Sequence, residues 1–253
     1  MSGVITASEP SWTAPFAGLG ARQFGQLITA LRREGADPVR KGRPWGLPLE
    51  DRVLLVAAYW RTNLTPRQLA PLFGVSKSAA DRVTDHLGPA LALQQRRRFR
   101  KDTVLIVDGA LVPARDRTVA EQSRNCRHST SHQVVTDADT RLVVAAGRPL
   151  PGNRNDCKAW ELSGAKAAVG QSTVIADGGH RGTGLVIPHR RAPGRAELPA
   201  WKEASHRKVR ARVEYAFARM KTRKILRDCR LKGDGVHHAM SGIARLRNLT
   251  LAG

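Results

Sequence analysis

The chain has 253 residues, 41% of them hydrophobic, with 43 Lys and Arg against 21 Asp and Glu, a formal net charge of +22 and a pI near 11.4. That length and apolar content support one well-filled core with a small accessory domain and exclude a disordered polymer. The cationic excess is the footprint of a nucleic-acid binder. No run approaches the eighteen or so apolar residues of a spanning helix. Met1 to Pro15 lacks the charged start and apolar middle of a secretory signal, so the expectation is a soluble, cytoplasmic protein with no membrane partner. Cys126, Cys157 and Cys229 are odd in number and widely spaced, without the paired CxxC arrangement of zinc sites, and read as reduced and structural.

Residues 1–47 read as an N-terminal helical or irregular segment, with one modest helical pattern from Phe24 to Leu31 and then a charged, Pro-rich connection to Pro48. From 48 to 95 the pattern is all helical. Leu49 to Trp60 is a helix with apolar Val53, Leu54, Ala57 and Ala58. Thr65 stands at an N-cap and Pro66 at the first helical position, Leu69, Ala70 and Phe73 give an apolar face, and Gly74 ends the helix. Ser76 caps a third helix, Lys77 to Leu87, with Ala80 and Val83 inward. This is the plan of a helix-turn-helix DNA-binding domain, in which Lys77, Ser78 and Arg82 would face a major groove; a plain helical hairpin has the same pattern. The run from Gln94 to Lys101, with Arg98 and Arg100, marks a boundary and either touches phosphates or is a solvated linker.

Residues 102–250 read as a mixed α/β domain. Thr103 to Val107 is an apolar run of the kind found in strands buried on both faces. Val134 to Thr136 and Leu142 to Ala145 flank Asp137 to Thr140 as a hairpin. Thr173 to Ala176 is another buried strand and Leu185 to Ile187 a further short one. Asp156 to Val169 and His206 to Arg227 read as helices. Asp108 and Asp177 each close a strand before glycine, where side chains leave the core and meet solvent. Glu214 follows on a helix whose stripe of Val209, Val213, Phe217 and Met220 pins it to the sheet. Arg210, Glu214 and Lys221 stand four and seven positions apart and share one helical face. Three carboxylates meeting in a cationic protein suit two Mg2+ ions, with Mn2+ a substitute, for phosphodiester chemistry. Arg210 and Lys221 would orient Glu214 or bind phosphate. Singly, an Asp-Gly after a strand is also a turn, and Arg210 with Glu214 also a surface ion pair. Asp156 reads either as an acid near the metals or as a helix N-cap. His128, His132 and His189 receive no role.

At these residues the chain resembles DDE-superfamily transposases, in particular the bacterial insertion-sequence group usually called IS five, whose DDE domain is shared with harbinger-type elements. Arg210, Glu214 and Lys221 match the family's late signature of Arg, three residues, Glu, six residues, Lys. Val107-Asp108-Gly109 and Ala176-Asp177-Gly178-Gly179-His180-Arg181-Gly182 look like its two earlier signatures, with His180 where Tyr or Phe is usual. Pro151-Gly-Asn-Arg-Asn-Asp156 resembles its Pro-Gly-Ser-x-x-Asp loop, and Leu246-Arg-Asn248 its closing Leu-x-Asn. The similarity covers roughly residues 48 to 250. It implies a ribonuclease-H-like mixed sheet with flanking helices, with Asp108 on the first strand, Asp177 after the fourth and Glu214 on a following helix. It implies a transposase, homo-oligomeric on DNA and nucleoid-associated, that binds terminal inverted repeats, cuts them and joins the 3' ends to target DNA. A DNA-binding remnant or repressor without chemistry, and a nuclease that cuts without joining, are the rival expectations.

Overall fold

The computed structural model describes residues 4–38, 44–94, 96, 98–123, 126–187 and 211–252. Contacts divide the chain into two compact units, Met1–Ala92 with Lys221–Gly253 and Leu93–Met220. The segment from Lys221 onward, expected with the sheet, is therefore part of the helical unit. No helix among the described residues is long and apolar enough to cross a membrane.

The helical unit opens with α1 (Thr13–Ala17) and α2 (Ala21–Arg33). Helix α2 buries Phe24, Leu27, Ile28 and Leu31, the spacing of a single apolar stripe. Helix α3 (Leu49–Thr62) differs from the expected one-faced helix: Leu49 and every residue from Asp51 to Trp60 are buried, so it is the unit's central strut. Its two buried charged members have partners, although Arg52 Nη1 is buried without one. Asp51 Oδ1 accepts from Ala7 N at 2.6 Å, and Arg52 donates to Leu47 O, pairs with Asp37 and lies over the Trp45 ring. The next pair follows the sequence closely. Helix α4 (Pro66–Leu72) starts where Gln68 Oε1 accepts from Thr65 N at 2.9 Å, and the chain leaves it through Gly74, whose φ of +65° no β-carbon would favour. Helix α5 (Lys77–Ala90) starts at Ser76, whose Oγ accepts from Ala79 N at 3.2 Å. Leu69, Ala70 and Phe73 are buried, as are Ala80, Val83 and Leu87 of α5, each larger side chain contributing about 1.5–3 kcal/mol of burial energy.

The second unit is built on a six-stranded mixed sheet. Strand β1 (Val104–Pro113) pairs antiparallel with β3 (Cys126–Asp137) over its length. The other edge of β3 is covered in succession by β2 (Glu121–Ser123), β5 (Leu150–Pro151) and β4 (Val143–Ala146), all antiparallel. Strand β6 (Thr173–Ile175) pairs with β1 in parallel. The four longer-range strands thus run β4-β3-β1-β6, three antiparallel and the last parallel to the first, which is the ribonuclease-H-like order. The expected strand at Leu185 to Ile187 is reduced to a single bridge between Val186 and Ile175. The expected helix from Asp156 to Val169 is two, α6 (Asp156–Leu162) and α7 (Ala165–Val169), because Gly164 sits between them with φ +81°. Trp160, Ala165 and Val169 pack with Leu105, Val107, Val135, Val144 and Val174 as the core of this unit.

Helix α8 is described over residues 211–220 and ends there, short of the expected Arg227. Downstream, Arg223 is buried and donates to Ala17 O at 2.6 Å and Phe16 O at 3.3 Å. Burial, with Arg61 nearby, pushes its guanidinium down to about 10. A short 3-10 turn, Lys224–Leu226, and helix α9 (Gly235–Ala252) complete the helical unit. Helix α9 was not expected. It is buried at Val236, Ala239 to Ala244, Leu246 and Arg247. A β-carbon at Gly242 would stand 2.3 Å from Trp60 Cη2, so glycine lets α9 close onto the α3 indole. Arg245 grips the Glu34 carboxylate with both guanidinium nitrogens, at 2.6 and 2.9 Å, and Gln23 Nε2 donates to Leu249 O at 3.1 Å.

Candidate active site

The site is organised by neighbouring strands. Val104, Leu105 and Ile106 of β1 lie opposite Thr173, Val174 and Ile175 of β6. Asp108 follows Ile106 by two residues on β1, and Asp177 follows Ile175 by two residues beyond the end of β6, so both acids lie toward the same end of this parallel pair. Asp177 does stand past the end of its strand, two residues after Ile175, as the N-cap of the 3-10 turn Gly178–His180, with Oδ1 accepting from Gly179 N at 2.9 Å. Asp108 does not. Strand β1 continues past it to Pro113, held in register against β3, and Asp108 Oδ1 accepts from Gly109 N at 2.8 Å within the strand. The glycine after Asp108 is therefore not a turn residue. Its missing side chain makes room for a carboxylate: a β-carbon on Gly109 would stand 2.5 Å from Asp156 Oδ1.

The structure removes one of the two readings of Asp156, the N-cap. The N-cap of α6 is Asn155, whose Oδ1 accepts from Lys158 N at 2.9 Å, and Asp156 follows as the first helical residue. Its carboxylate lies over Gly109 and reaches toward the end of β6. Asp156 Oδ2 and Asp177 Oδ1 fall 2.8 and 3.0 Å from one point, the place a β-carbon of Gly179 would take. Two glycines, one in each Asp-Gly signature, thus leave space that two carboxylates fill.

Behind these acids runs a buried polar chain. His180 is fully buried, with Nδ1 2.9 Å from Asp177 Oδ1 and Nε2 2.9 Å from Gln133 Oε1. Gln133, opposite Gly109 in the β1–β3 ladder, is also fully buried and donates through Nε2 to Asp156 Oδ1 at 3.2 Å. Sequence reasoning noted His180 only as a departure from an aromatic position and passed over Gln133. The available signal was an amide beside Val134 and Val135 in a strand core, where an uncharged polar group needs a partner. Cys157 adds two thiol contacts nearby, donating toward Gly179 O at 3.1 Å and Arg181 O at 3.2 Å.

A cleft of about 680 Å³ opens beside Asp156, walled by Gly109 to Leu111 of β1, Gln122 and Ser123 of β2, Ser131 of β3 and the loop Gly152 to Asn155. Gly152 is required there. Its N donates to Ser129 O at 2.8 Å, and a β-carbon would lie 2.7 Å from that same carbonyl oxygen. The loop presents Arg154 and two asparagines to the cleft, donors suited to a phosphate backbone.

The remaining expected residues are distributed as follows. Glu214 is on the exposed face of α8, while Val213, Ala216, Phe217 and Met220 are buried. Arg212 on the same helix donates to Ala138 O in the β3–β4 hairpin. Arg210 lies outside the described residues, as does His189. Lys221 stands just past the end of α8 rather than on its face, because the chain turns toward the buried Arg223. On α5, Lys77, Ser78 and Arg82 are exposed as expected, but Lys77 Nζ is paired with Asp81 Oδ2 at 2.7 Å. His132 is buried with Nε2 3.0 Å from Thr130 Oγ1. Among the described residues no three His, Cys, Asp or Glu side chains stand at ion-holding spacing. Magnesium is commonly bound through one or two carboxylates together with water and substrate phosphate, so the hard oxygen donors of Asp156 and Asp177 fit such an ion in kind.

Two family models match the chain. Residues 45–95 match the helix-turn-helix of DDE superfamily endonuclease, and residues 99–249 match the transposase DDE domain. A protein of Streptomyces albus G, described as "Putative transposase for insertion sequence element IS112", is 78% identical over 256 residues, covering 100% of this chain and 100% of its own length.

Proposed function

We propose, from the premise that the chain belongs to the DDE-superfamily transposases, that it cuts the ends of its own mobile element and joins them to target DNA with the help of two divalent ions. The observation that carries the reading is the approach of the Asp156 and Asp177 carboxylates to one point, at the end of a strand whose neighbour bears Asp108. Asp108, Asp177 and Glu214 would hold Mg2+, or Mn2+ in its place, with Asp156 as a further acid beside them. Such ions would supply activation of the attacking oxygen and charge neutralisation at the leaving oxygen.

The protein's own groups do the rest. Asp108 is held on a strand, Asp177 at the cap of a 3-10 turn and Asp156 at a helix start, which restricts the directions in which these acids can point. Arg154 and the amides of the cleft receive the phosphate backbone on one side of Asp156. Arg210 and Lys221 would steer phosphate near Glu214. The exposed face of α5, with Lys77, Ser78 and Arg82, would read the major groove of the terminal inverted repeats, and the charge of +22 gives strong, salt-sensitive attraction to DNA. Joining two element ends calls for two such sites, so the active form is a homo-oligomer on DNA.

The test is cleavage of end-containing DNA by the purified chain in Mg2+. Asp108→Asn, Asp177→Asn and Glu214→Gln should each abolish cleavage and strand joining while gel-shift affinity is kept. Unaltered cutting by these variants refutes the assignment. Tight DNA binding with no cleavage by the natural protein, in either Mg2+ or Mn2+, would instead give the remnant or repressor reading, and cutting without joining the nuclease reading.

A further inference from the structure

We infer that His180 and Gln133 are positioning residues that tie Asp177 to Asp156 and so set the spacing of the two carboxylates that the proposed function places at the ions. The inference rests on that reading of the site. Its geometric basis is a continuous chain of three contacts at hydrogen-bond distance: His180 Nδ1 donates to Asp177 Oδ1 at 2.9 Å, His180 Nε2 to Gln133 Oε1 at 2.9 Å, and Gln133 Nε2 to Asp156 Oδ1 at 3.2 Å.

Each link has a structural reason. His180 and Gln133 are both fully buried, so neither can exchange its partner for bulk water, and a lost bond leaves an unsatisfied polar group in the interior. Gln133 is fixed by the β1–β3 ladder, opposite Gly109, and its backbone carbonyl accepts from Gly147 N at 2.7 Å. His180 is fixed by the 3-10 turn that Asp177 caps, where its own backbone N donates to Asp177 O at 3.2 Å. The tie therefore joins the end of β6 to the start of α6 through the middle strand of the sheet. Two like-charged carboxylates left to themselves would separate. Hydrogen-bond donors aimed at each hold them ready for a cation, which is the role outer partners play around metal ligands. A hydrophobic ring at position 180 would fill the same volume and make neither bond.

The experiment uses the full chain and reads metal affinity as well as rate. His180→Phe keeps the ring and removes both polar links, and Gln133→Leu removes the other half of the tie. Mn2+ binding to the DNA-free protein by calorimetry should weaken about tenfold in either, the order expected when an outer partner of a metal ligand is lost. Cleavage at limiting Mg2+ should fall at least as much and recover partly at high Mg2+, with gel-shift affinity unchanged. Val144→Ala, a cavity in the core of the same unit, is the control: it should lower the Tm without altering Mn2+ affinity. Unchanged Mn2+ affinity in His180→Phe overturns the inference. If neither tie variant folds, the natural protein carries the test, since Mg2+ should shift the ring 15N resonances of His180 and should not do so in Asp177→Asn; unmoved resonances overturn it equally. Asp177→Asn separates the two levels. If that variant binds Mn2+ and cleaves normally, the site itself is misassigned; if it is dead while His180→Phe is normal, only the tie is wrong.

Discussion

The glycine after Asp108 offers a sharp probe, because its role has shifted from turn former to spacer. Gly109 lies inside β1 in an extended ladder, so Gly109→Ala asks for no new backbone conformation and by propensity alone should stabilise the strand slightly. The added β-carbon, however, would stand 2.5 Å from Asp156 Oδ1 and 3.2 Å from Gln133 Nε2, where ordinary contact begins at 3.4 Å. The Asp156 carboxylate must recede by about 1 Å, and misplacement on that scale can cost about 10²-fold in rate, or about 2.7 kcal/mol of barrier. Stability should change little, since a carboxylate at the end of a side chain gives way more easily than packed backbone, and overpacking costs of about 1–3 kcal/mol are an upper bound. Single-turnover cleavage of end-containing DNA, gel shift and thermal denaturation are the measurements. The expected pattern is a rate loss near 10²-fold with binding retained and the Tm within a few degrees. Gly178→Ala, whose β-carbon would meet nothing within 4 Å, is the matched control and should cut normally. Cleavage at the natural rate by Gly109→Ala would show that Asp156 has no part in the chemistry.

Three further outcomes concern the helical unit. Asp81→Asn releases Lys77 from its ion pair and removes an acid from α5, so DNA affinity should rise and fall more steeply with salt; an unchanged salt slope in gel shifts would argue that α5 does not face DNA. Gly242→Ala drives a methyl into the Trp60 indole and should destabilise the unit by about 1–3 kcal/mol, lowering the urea midpoint and taking DNA binding with it; a midpoint equal to that of the natural chain would mean α9 is not seated on α3. Burial, reinforced by Cys229, pushes the Tyr59 phenol up to about 12. The stability it contributes is thus intact below about pH 10 and is lost as pH climbs through about 12, and Tyr59→Phe should flatten this alkaline limb in melts across that range. Superimposable pH profiles would count against it.

The parts of the fold that sequence made legible are those dictated by local chemistry. Helices α4 and α5 are announced by Thr65, Pro66, Gly74 and Ser76, each acting within a few residues of itself, and β4, β6 and the last residues of β3 by short apolar runs, whereas the polar stretch from Cys126 to Gln133 gave no strand signal. Asp108 and Asp177 were marked by their strands, yet the sequence could not say that β1 runs on through Gly109, because that depends on what lies over it. Asp156 was ambiguous for the same reason: whether it caps α6 depends on Asn155, which makes the cap bond instead. Helix α9 escaped notice because it is buried on most sides, mixing Gly, Ala, Ser and His with a few large apolar residues, and shows no single stripe. Gln133 and His180 meet only across 47 positions of sequence, a distance no local pattern spans.

Because α9 seats against α3, the DNA-reading unit is assembled from the first and last stretches of the polypeptide, with the catalytic sheet translated in between. During synthesis the sheet can fold while the hydrophobic strut of α3 still waits for its closing partner. A copy of the gene interrupted by a late stop codon or frameshift would keep Asp108, Asp156, Asp177 and Glu214 and lose α9, and with it the partner that closes onto Trp60.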